Sequence, residues 1–109
     1  MEIVKVAKRL EALGNPTRLS VYRILVRAGE GGLAVGDLQR QLDIPASTLS
    51  HHLHRLIAVD LVVQERQSTT LICRTNYASM QATLGFLSEQ CCADAPAASP
   101  RSLEPADAD

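Results

Sequence analysis

The chain has 109 residues, of which 46% are hydrophobic and only 3% aromatic. This length suits one domain with a single aliphatic core, small enough that dimerisation would help to stabilise it. The scarcity of aromatic rings argues against binding to exposed bases, which relies on stacking. No apolar run approaches the roughly 18 residues of a membrane span, and the N-terminus lacks the pattern of a signal peptide. We therefore expect a cytoplasmic protein without membrane contact.

The net charge of −1 is unevenly distributed along the chain. The last 17 residues carry a balance of −3, which leaves +2 for residues 1–92. The last 17 residues are rich in Ala, Pro and Asp and cannot bury enough apolar surface to fold. We expect a folded domain over residues 1–92 and a disordered acidic tail over residues 93–109. The charged residues of the tail are Asp94, Glu104, Asp107 and Asp109 against Arg101.

Apolar spacing predicts two helices at the start of the chain, from Glu2 to Leu13 and from Pro16 to Ala28. Gly14 should end the first. Asn15 should cap the second with its side-chain oxygen, and Pro16 is preset for the first helical position. The predicted inward residues are Ile3, Val6, Ala7, Leu10 and Leu13 on the first helix, and Leu19, Tyr22, Leu25 and Val26 on the second.

The segment from Val35 to Ile57 is typical of a helix-turn-helix. A short helix (Val35–Leu42) and the turn Asp43-Ile44-Pro45 precede a second helix from Ala46 to Ile57. That helix combines an apolar stripe with an opposite face of hydroxyls, imidazoles and one guanidinium. A helix that binds DNA needs this division, because one face anchors in the domain while the other contacts bases and phosphates. The stripe consists of Leu49, Leu53, Leu56 and Ile57.

The polar face of this helix supplies the candidate DNA contacts. Its first residues lie where a helix N-terminus points amides at a phosphate, and His51 and Arg55 lie one turn apart. An ordinary solvated face is the alternative, but such a face usually carries Glu and Lys. His52 adjoins the apolar stripe and is expected to pack inside the domain, and a zinc site at His51 and His54 lacks further ligands. The candidate contacts are Ser47, Thr48, Ser50, His51, His54 and Arg55.

A β-hairpin is predicted after Leu61, where the apolar period changes to two. Two strands, Leu61–Arg66 and Leu71–Thr75, flank a polar tip at residues 67–70. A hairpin directly after a recognition helix is a wing, which can reach the neighbouring groove or backbone. Arg66 and Arg74 could hold phosphates there, or could simply be solvated.

The last predicted helix runs from Tyr77 to Cys92. Its apolar residues recur at steps of three and four, the spacing of a coiled-coil seam, which makes it a candidate for dimerisation. The seam residues are Tyr77, Met80, Leu84, Leu87 and Cys91.

Three of these segments together resemble the ArsR/SmtB family of winged-helix, metal-responsive repressors: Leu13–Leu19, the Ser50-His51-His52-Leu53 core, and the wing. The resemblance covers about residues 4–90. It implies a mainly α fold with a β-hairpin wing, in the order ααααββα. It also implies a homodimer, joined through the first and last helices, that binds operator DNA when unliganded and releases it when an inducer binds. The chain departs from the family at the wing tip, which lacks glycine and a basic residue, and at Asp60, where the family commonly has glycine.

The cysteines bear on the inducer. Many arsenic-type relatives carry a cysteine pair on the helix before the recognition helix, where this chain has none, and the zinc-binding set on the last helix of other relatives is also unmatched. Cys91 and Cys92 remain, at a place where some arsenic sensors of the family carry such a pair. Adjacent thiols suit soft ions, which favours trivalent arsenic or antimony, inorganic or methylated.

Neighbouring side chains of a regular helix diverge by about 100°. Chelation by Cys91 and Cys92 therefore requires the helix end to fray, or a third thiol from Cys73 or the partner chain. Cys73 could instead be buried packing. Redox sensing by the same thiols is an alternative, and so is a seam role for Cys91 with an unrelated inducer.

Two other classes of function fit the residues less well. A winged-helix module that binds protein should have an acidic or apolar recognition face, and this face is neither. An enzyme is not expected, because the sequence offers neither a phosphate-cradling glycine loop nor a nucleophile with its base and orienting acid. We expect no required cofactor.

Overall fold

The computed structural model describes residues 2–96. Over this range the order is ααβααββα, and the predicted winged helix-turn-helix is confirmed with one additional strand. No described helix is long and apolar enough to cross a membrane. The predicted tail lies outside the described residues except for a turn at residues 93–96. The elements are α1 (Glu2–Leu13), α2 (Pro16–Ala28), β1 (Leu33–Ala34), α3 (Val35–Leu42), α4 (Ala46–Ala58), β2 (Val62–Gln67), β3 (Thr70–Thr75) and α5 (Tyr77–Ser88).

Side-chain caps set the starts of α2 and α5. The Asn15 side-chain oxygen accepts a hydrogen bond of 2.9 Å from the Arg18 amide, so the predicted cap of α2 is confirmed. Asn76 caps α5 in the same way. Asp60 adopts a left-handed conformation with φ of 65°, which shows that aspartate serves where the family commonly has glycine.

The additional strand, β1, was not predicted. It pairs antiparallel with β3, with Leu33 opposite Cys73, and the sheet order is β1-β3-β2. Two residues are too short for a periodic signal. The close approach of β1 to β3 depends on Gly32, which has φ of 72°. A Cβ at this position would lie 2.4 Å from the Cys73 carbonyl oxygen. Any side chain at this position would therefore push β1 away from the wing.

The core is aliphatic, as the composition predicts. Leu49, Leu53 and Leu56 of the α4 stripe are buried, and Ile57 packs at the edge of the same cluster. They meet side chains of α2 and α3, including Leu25 and Leu38. The stripe prediction is confirmed, and α4 is anchored with its opposite face outward.

The predicted inward face of α1 is partly wrong. Val6 is buried, but Ile3 is 63% exposed and Leu10 is 41% exposed. Leu19, at the start of α2, is also 40% exposed. Arg9 is buried in their place. A single chain therefore leaves one apolar side of α1 without a partner among the described residues.

Buried Arg9 explains how α1 packs. Its Nε donates to the Val59 carbonyl oxygen at 3.0 Å, and its Nη atoms lie within hydrogen-bond distance of Thr83 and Ser79 on α5. Arg18 is buried too, and its Nη1 donates to the Ala12 carbonyl oxygen at 2.9 Å. These two arginines join helices, so they are not available as surface cations.

Helix α5 ends at Ser88, four residues before the predicted end at Cys92. The Ser88 hydroxyl is within hydrogen-bond distance of the Leu84 and Gly85 carbonyl oxygens, which offers these acceptors a side-chain partner near the helix end. The Cys91 amide then donates to the Ser88 carbonyl oxygen in a turn. The placement of Cys91 in a helical seam is therefore wrong.

Candidate nucleic-acid interface and thiol site

The polar face of α4 is presented to solvent as a unit. All six predicted contact residues are exposed, while the stripe behind them is buried. Arg55 is the only Asp, Glu, Lys or Arg residue of α4. The face is thus rich in short donors and acceptors, with one cation and no carboxylate. The exposed residues are Ser47, Thr48, Ser50, His51, His54 and Arg55.

The N-terminus of α4 carries no side-chain cap. Pro45 occupies the capping position and has no side-chain acceptor, and the first turn contains no acidic residue. Helix N-terminal amides without such partners favour an anion, through both hydrogen bonding and the helix dipole. Ser47 and Thr48 lie in this first turn. Their hydroxyls and the free backbone amides are hydrogen-bond donors that could bind the same anion.

His52 is 8% exposed, as predicted for a packing residue. Its Nδ1 has no hydrogen-bond partner among the described residues. Burial lowers the pKa of His52 below its ordinary value of 6.5, and the positive charge of Arg18 lowers it further, with smaller effects from His51 and Arg55. The neutral imidazole is therefore the form that fits between α2 and α4.

This lowered pKa makes stability depend on pH. The unfolded chain takes up a proton at His52 more readily than the native chain, so the free energy of unfolding is highest above about pH 6.5 and falls as the pH drops below it. We expect His52→Gln to flatten this slope in urea unfolding series, while His54→Gln, at an exposed neighbour, leaves it in place. A wild-type slope in His52→Gln would contradict the assignment.

The wing offers less positive charge than predicted. Its tip is two residues, Ser68 and Thr69, because Gln67 pairs with Thr70. Arg66 is exposed. The Arg74 Nη1 donates to Glu65 Oε1 at 2.6 Å, so this guanidinium already has a carboxylate partner. Arg66 is the wing arginine that remains free to meet a phosphate within the described residues.

Cys91 and Cys92 lie side by side in the turn after α5. Both thiols are exposed and their Sγ atoms are 3.4 Å apart. Cys92 has φ of 64°, which breaks the helical geometry that would separate them. The hydrogen bond to Cys91 raises the pKa of the Cys92 thiol, since the two sulfurs share a proton more easily than they carry two charges. The regular helix therefore ends before the two cysteines, and their sulfurs lie close together.

Cys73 is a core residue. It is fully buried, and Gln64 Nε2 donates to its Sγ at 3.4 Å. Burial raises the pKa of the Cys73 thiol. Residues 2–96 contain no group of three or more His, Cys, Asp or Glu residues that could hold a metal ion. Cys73 therefore packs in the core, which is one of the two roles expected for it, and within residues 2–96 no third residue of these types lies with Cys91 and Cys92 to form a metal site.

Apart from Cys91, the predicted seam residues divide into two pairs. Leu84 and Leu87 are 57% and 58% exposed, whereas Met80 packs against the core. Tyr77 donates its hydroxyl to the Val26 carbonyl oxygen at 3.0 Å and so serves its own chain. The exposed leucines of α5 and exposed Ile3 and Leu10 of α1 are among the large apolar side chains on the surface of the described residues. In the sequence, α1 has more apolar residues than one buried face needs, and this was the signal that some of them lie on the surface.

Comparison with known proteins shows that similar sequences and folds occur in transcriptional regulators. A family model described as a helix-turn-helix domain matches residues 13–65. The nodulation protein NolR of Rhizobium meliloti is 34% identical over 80 residues, which cover 73% of this chain and 63% of that protein. The chain thus matches somewhat less than two thirds of the length of this relative.

Solved structures agree over most of both chains. The crystal structure of NolR from Sinorhizobium fredii is 34% identical, with a TM-score of 0.64 over 83% of this chain and 87% of that one. A homodimeric winged helix-turn-helix DNA-binding domain from Mycobacterium bovis, described as a possible ArsR-family transcriptional regulator, is 27% identical, with a TM-score of 0.64 over 84% and 81%. The chain belongs to the ArsR family of winged-helix transcriptional regulators.

Proposed function

We propose that the protein is a cytoplasmic, DNA-binding transcriptional repressor that acts as a homodimer and is released from its operator by a thiophilic inducer. The observation that carries the DNA-binding part is the exposed face of α4, with six short polar or basic side chains and an N-terminus free of side-chain caps. These groups suit the base edges and phosphates of a major groove.

The exposed apolar surface supports the dimer. Ile3 and Leu10 on α1 and Leu84 and Leu87 on α5 expose large aliphatic side chains that a second copy would bury. The M. bovis relative is homodimeric. In a dimer the two α4 helices would enter successive major grooves of a pseudo-palindrome, with half-site centres about 10 bp apart or a multiple of that.

The geometry of Cys91 and Cys92 supports a thiophilic inducer. Two exposed sulfurs 3.4 Å apart can bind one soft ion after small rotations of their side chains. A trivalent arsenical that already bears one carbon group needs two thiolates, which this pair supplies. Inorganic arsenic or antimony would need a third ligand from solvent or from the partner chain. The best match is therefore a monosubstituted trivalent arsenical.

The same distance also favours a redox alternative. Two neighbouring thiols can form a disulfide when a peroxide takes up their two electrons and protons and leaves as water. The raised pKa of Cys92 argues against a fast reaction with peroxide, because the thiolate is the reactive form.

One titration separates these possibilities. A duplex selected from a random pool by the full chain is labelled, and its fluorescence anisotropy is followed as protein is added. We expect phenylarsine oxide to release the DNA and zinc and peroxide to leave it bound. A weakening of about fivefold to 150-fold is the usual range of such coupling. Failure to select any duplex would overturn the DNA-binding proposal, while release by peroxide alone would favour the disulfide.

A further inference from the structure

A cavity of about 380 Å³ lies between α1, α2 and α5. Its wall is aliphatic, with Leu13, Val26, Leu61 and Met80 among the contributing side chains, and no acidic residue lines it. This volume and this lining are typical of small-molecule sites, where an apolar wall surrounds a few polar groups.

Two arginines contribute the positive charge of the cavity. Arg23 and Arg27 both line it, lie one turn apart on α2 and are exposed. Neither forms a salt bridge with a described residue. Like charges at this spacing repel each other, and an anion between them would relieve the repulsion. Guanidinium groups also match a carboxylate in shape and hydrogen bonding.

Tyr22 supplies an independent sign of a missing ligand. It lines the same cavity and is only 5% exposed, yet its hydroxyl has no hydrogen-bond partner among residues 2–96. Buried hydroxyls are nearly always satisfied, because leaving one unpaired is costly. The nearby Tyr77 hydroxyl is already bonded to the Val26 carbonyl oxygen, so Tyr22 carries the unpaired hydroxyl of this wall. Its oxygen is covered by neighbouring atoms, so donation to a ligand requires a rotation of the side chain.

We propose that this cavity is a binding site for an amphiphilic carboxylate with an aliphatic body. The apolar part would lie between α1, α2 and α5, the carboxylate would meet Arg23 and Arg27, and the Tyr22 hydroxyl would donate to a ligand oxygen. The site is separate from the Cys91–Cys92 pair and adds a second ligand class to the proposed repressor.

A ligand in this cavity would be coupled to the DNA-binding face through helix α2. Helix α2, which carries Tyr22, Arg23 and Arg27, also packs against α4. Leu10 and Leu84 line the cavity and belong to the exposed apolar surface, so a partner copy would close its mouth. The arginine pair and the unpaired hydroxyl favour a ligand with a polar head over an aliphatic side chain of the partner.

Isothermal titration calorimetry of the full chain without DNA tests the site. Decanoate, kept below its micellar concentration, is compared with decanol, which has the same chain and no charge. We expect saturable binding of decanoate, weakened at least tenfold in R23Q/R27Q, while decanol binds both proteins alike. Tyr22→Phe should weaken decanoate binding as well. The matched control is K5Q/K8Q, which removes two positive charges from α1 and should bind decanoate like the wild type.

Equal weakening in the two double variants would show a general charge effect and would overturn the proposal. Absence of saturable decanoate binding, as expected if a partner copy fills the cavity, would overturn it too. Because the titration contains no DNA, neither result bears on operator binding.

Discussion

Arg55→Ala should weaken operator binding by about 1 to 3 kcal/mol, which is roughly fivefold to 150-fold. Arg55 is exposed on α4 and is the only permanent cation of that helix. His51 lies one turn before it, and His51→Ala should cause a smaller loss, because an imidazole lacks the permanent charge and the five forked donors of a guanidinium. Anisotropy titrations at several salt concentrations measure both effects.

The salt series also tells which contact Arg55 makes. Loss of a phosphate contact lowers the slope of log affinity against log salt by about 0.9 and weakens all sequences alike. Loss of a base contact leaves the slope nearly unchanged and relaxes preference at one position. Lys8→Gln, which removes one exposed charge outside the helix-turn-helix, is the matched control. Unchanged affinity in both Arg55→Ala and His51→Ala would show that this face does not contact DNA.

The double variant C91S/C92S should bind the operator like the wild type and lose its release by phenylarsine oxide. Hydroxyls are poor ligands for trivalent arsenic, and both residues are exposed in a turn outside the core, so the fold should be unaffected. The two thiol protons combine with the oxide oxygen of the arsenical and leave as water, so equilibrium binding releases no net proton. The raised pKa of Cys92 affects the rate instead: release should become faster as the pH rises, because the thiolate is the reactive form.

Cys73→Ala provides the control, because it removes the buried thiol and leaves the exposed pair intact. We expect this variant to be less stable and to keep its full response to phenylarsine oxide. Release of C91S/C92S at the wild-type arsenical concentration would contradict the assignment of the inducer site. Loss of the response in Cys73→Ala, with the protein still folded, would show that Cys73 is also a ligand of the inducer.

The wing is expected to contribute less to DNA binding than α4. Its tip contains two polar residues, and Arg74 is paired with Glu65, so Arg66 is the remaining wing candidate for a phosphate contact. Specificity should therefore reside mainly in α4.

The sequence determined the features that depend on neighbouring residues. Asn15 and Pro16 set the start of α2, the period of Leu49, Leu53 and Leu56 set the buried side of α4, and the change of period after Leu61 set the hairpin. Each of these signals acts within one or two turns of chain, where local geometry fixes which side chains share a face. The exposed polar face of α4 followed from the same periodicity.

Only the tertiary structure decided the features that depend on distant segments. Arg9 is buried because Val59, Ser79 and Thr83 supply acceptors from α5 and the end of α4. Strand β1 exists because Gly32 lets the chain reach Cys73. The early end of α5 brings the sulfurs of Cys91 and Cys92 together, and the packing of three helices encloses the cavity beside Tyr22. Such contacts join residues far apart in the chain, so no local pattern encodes them.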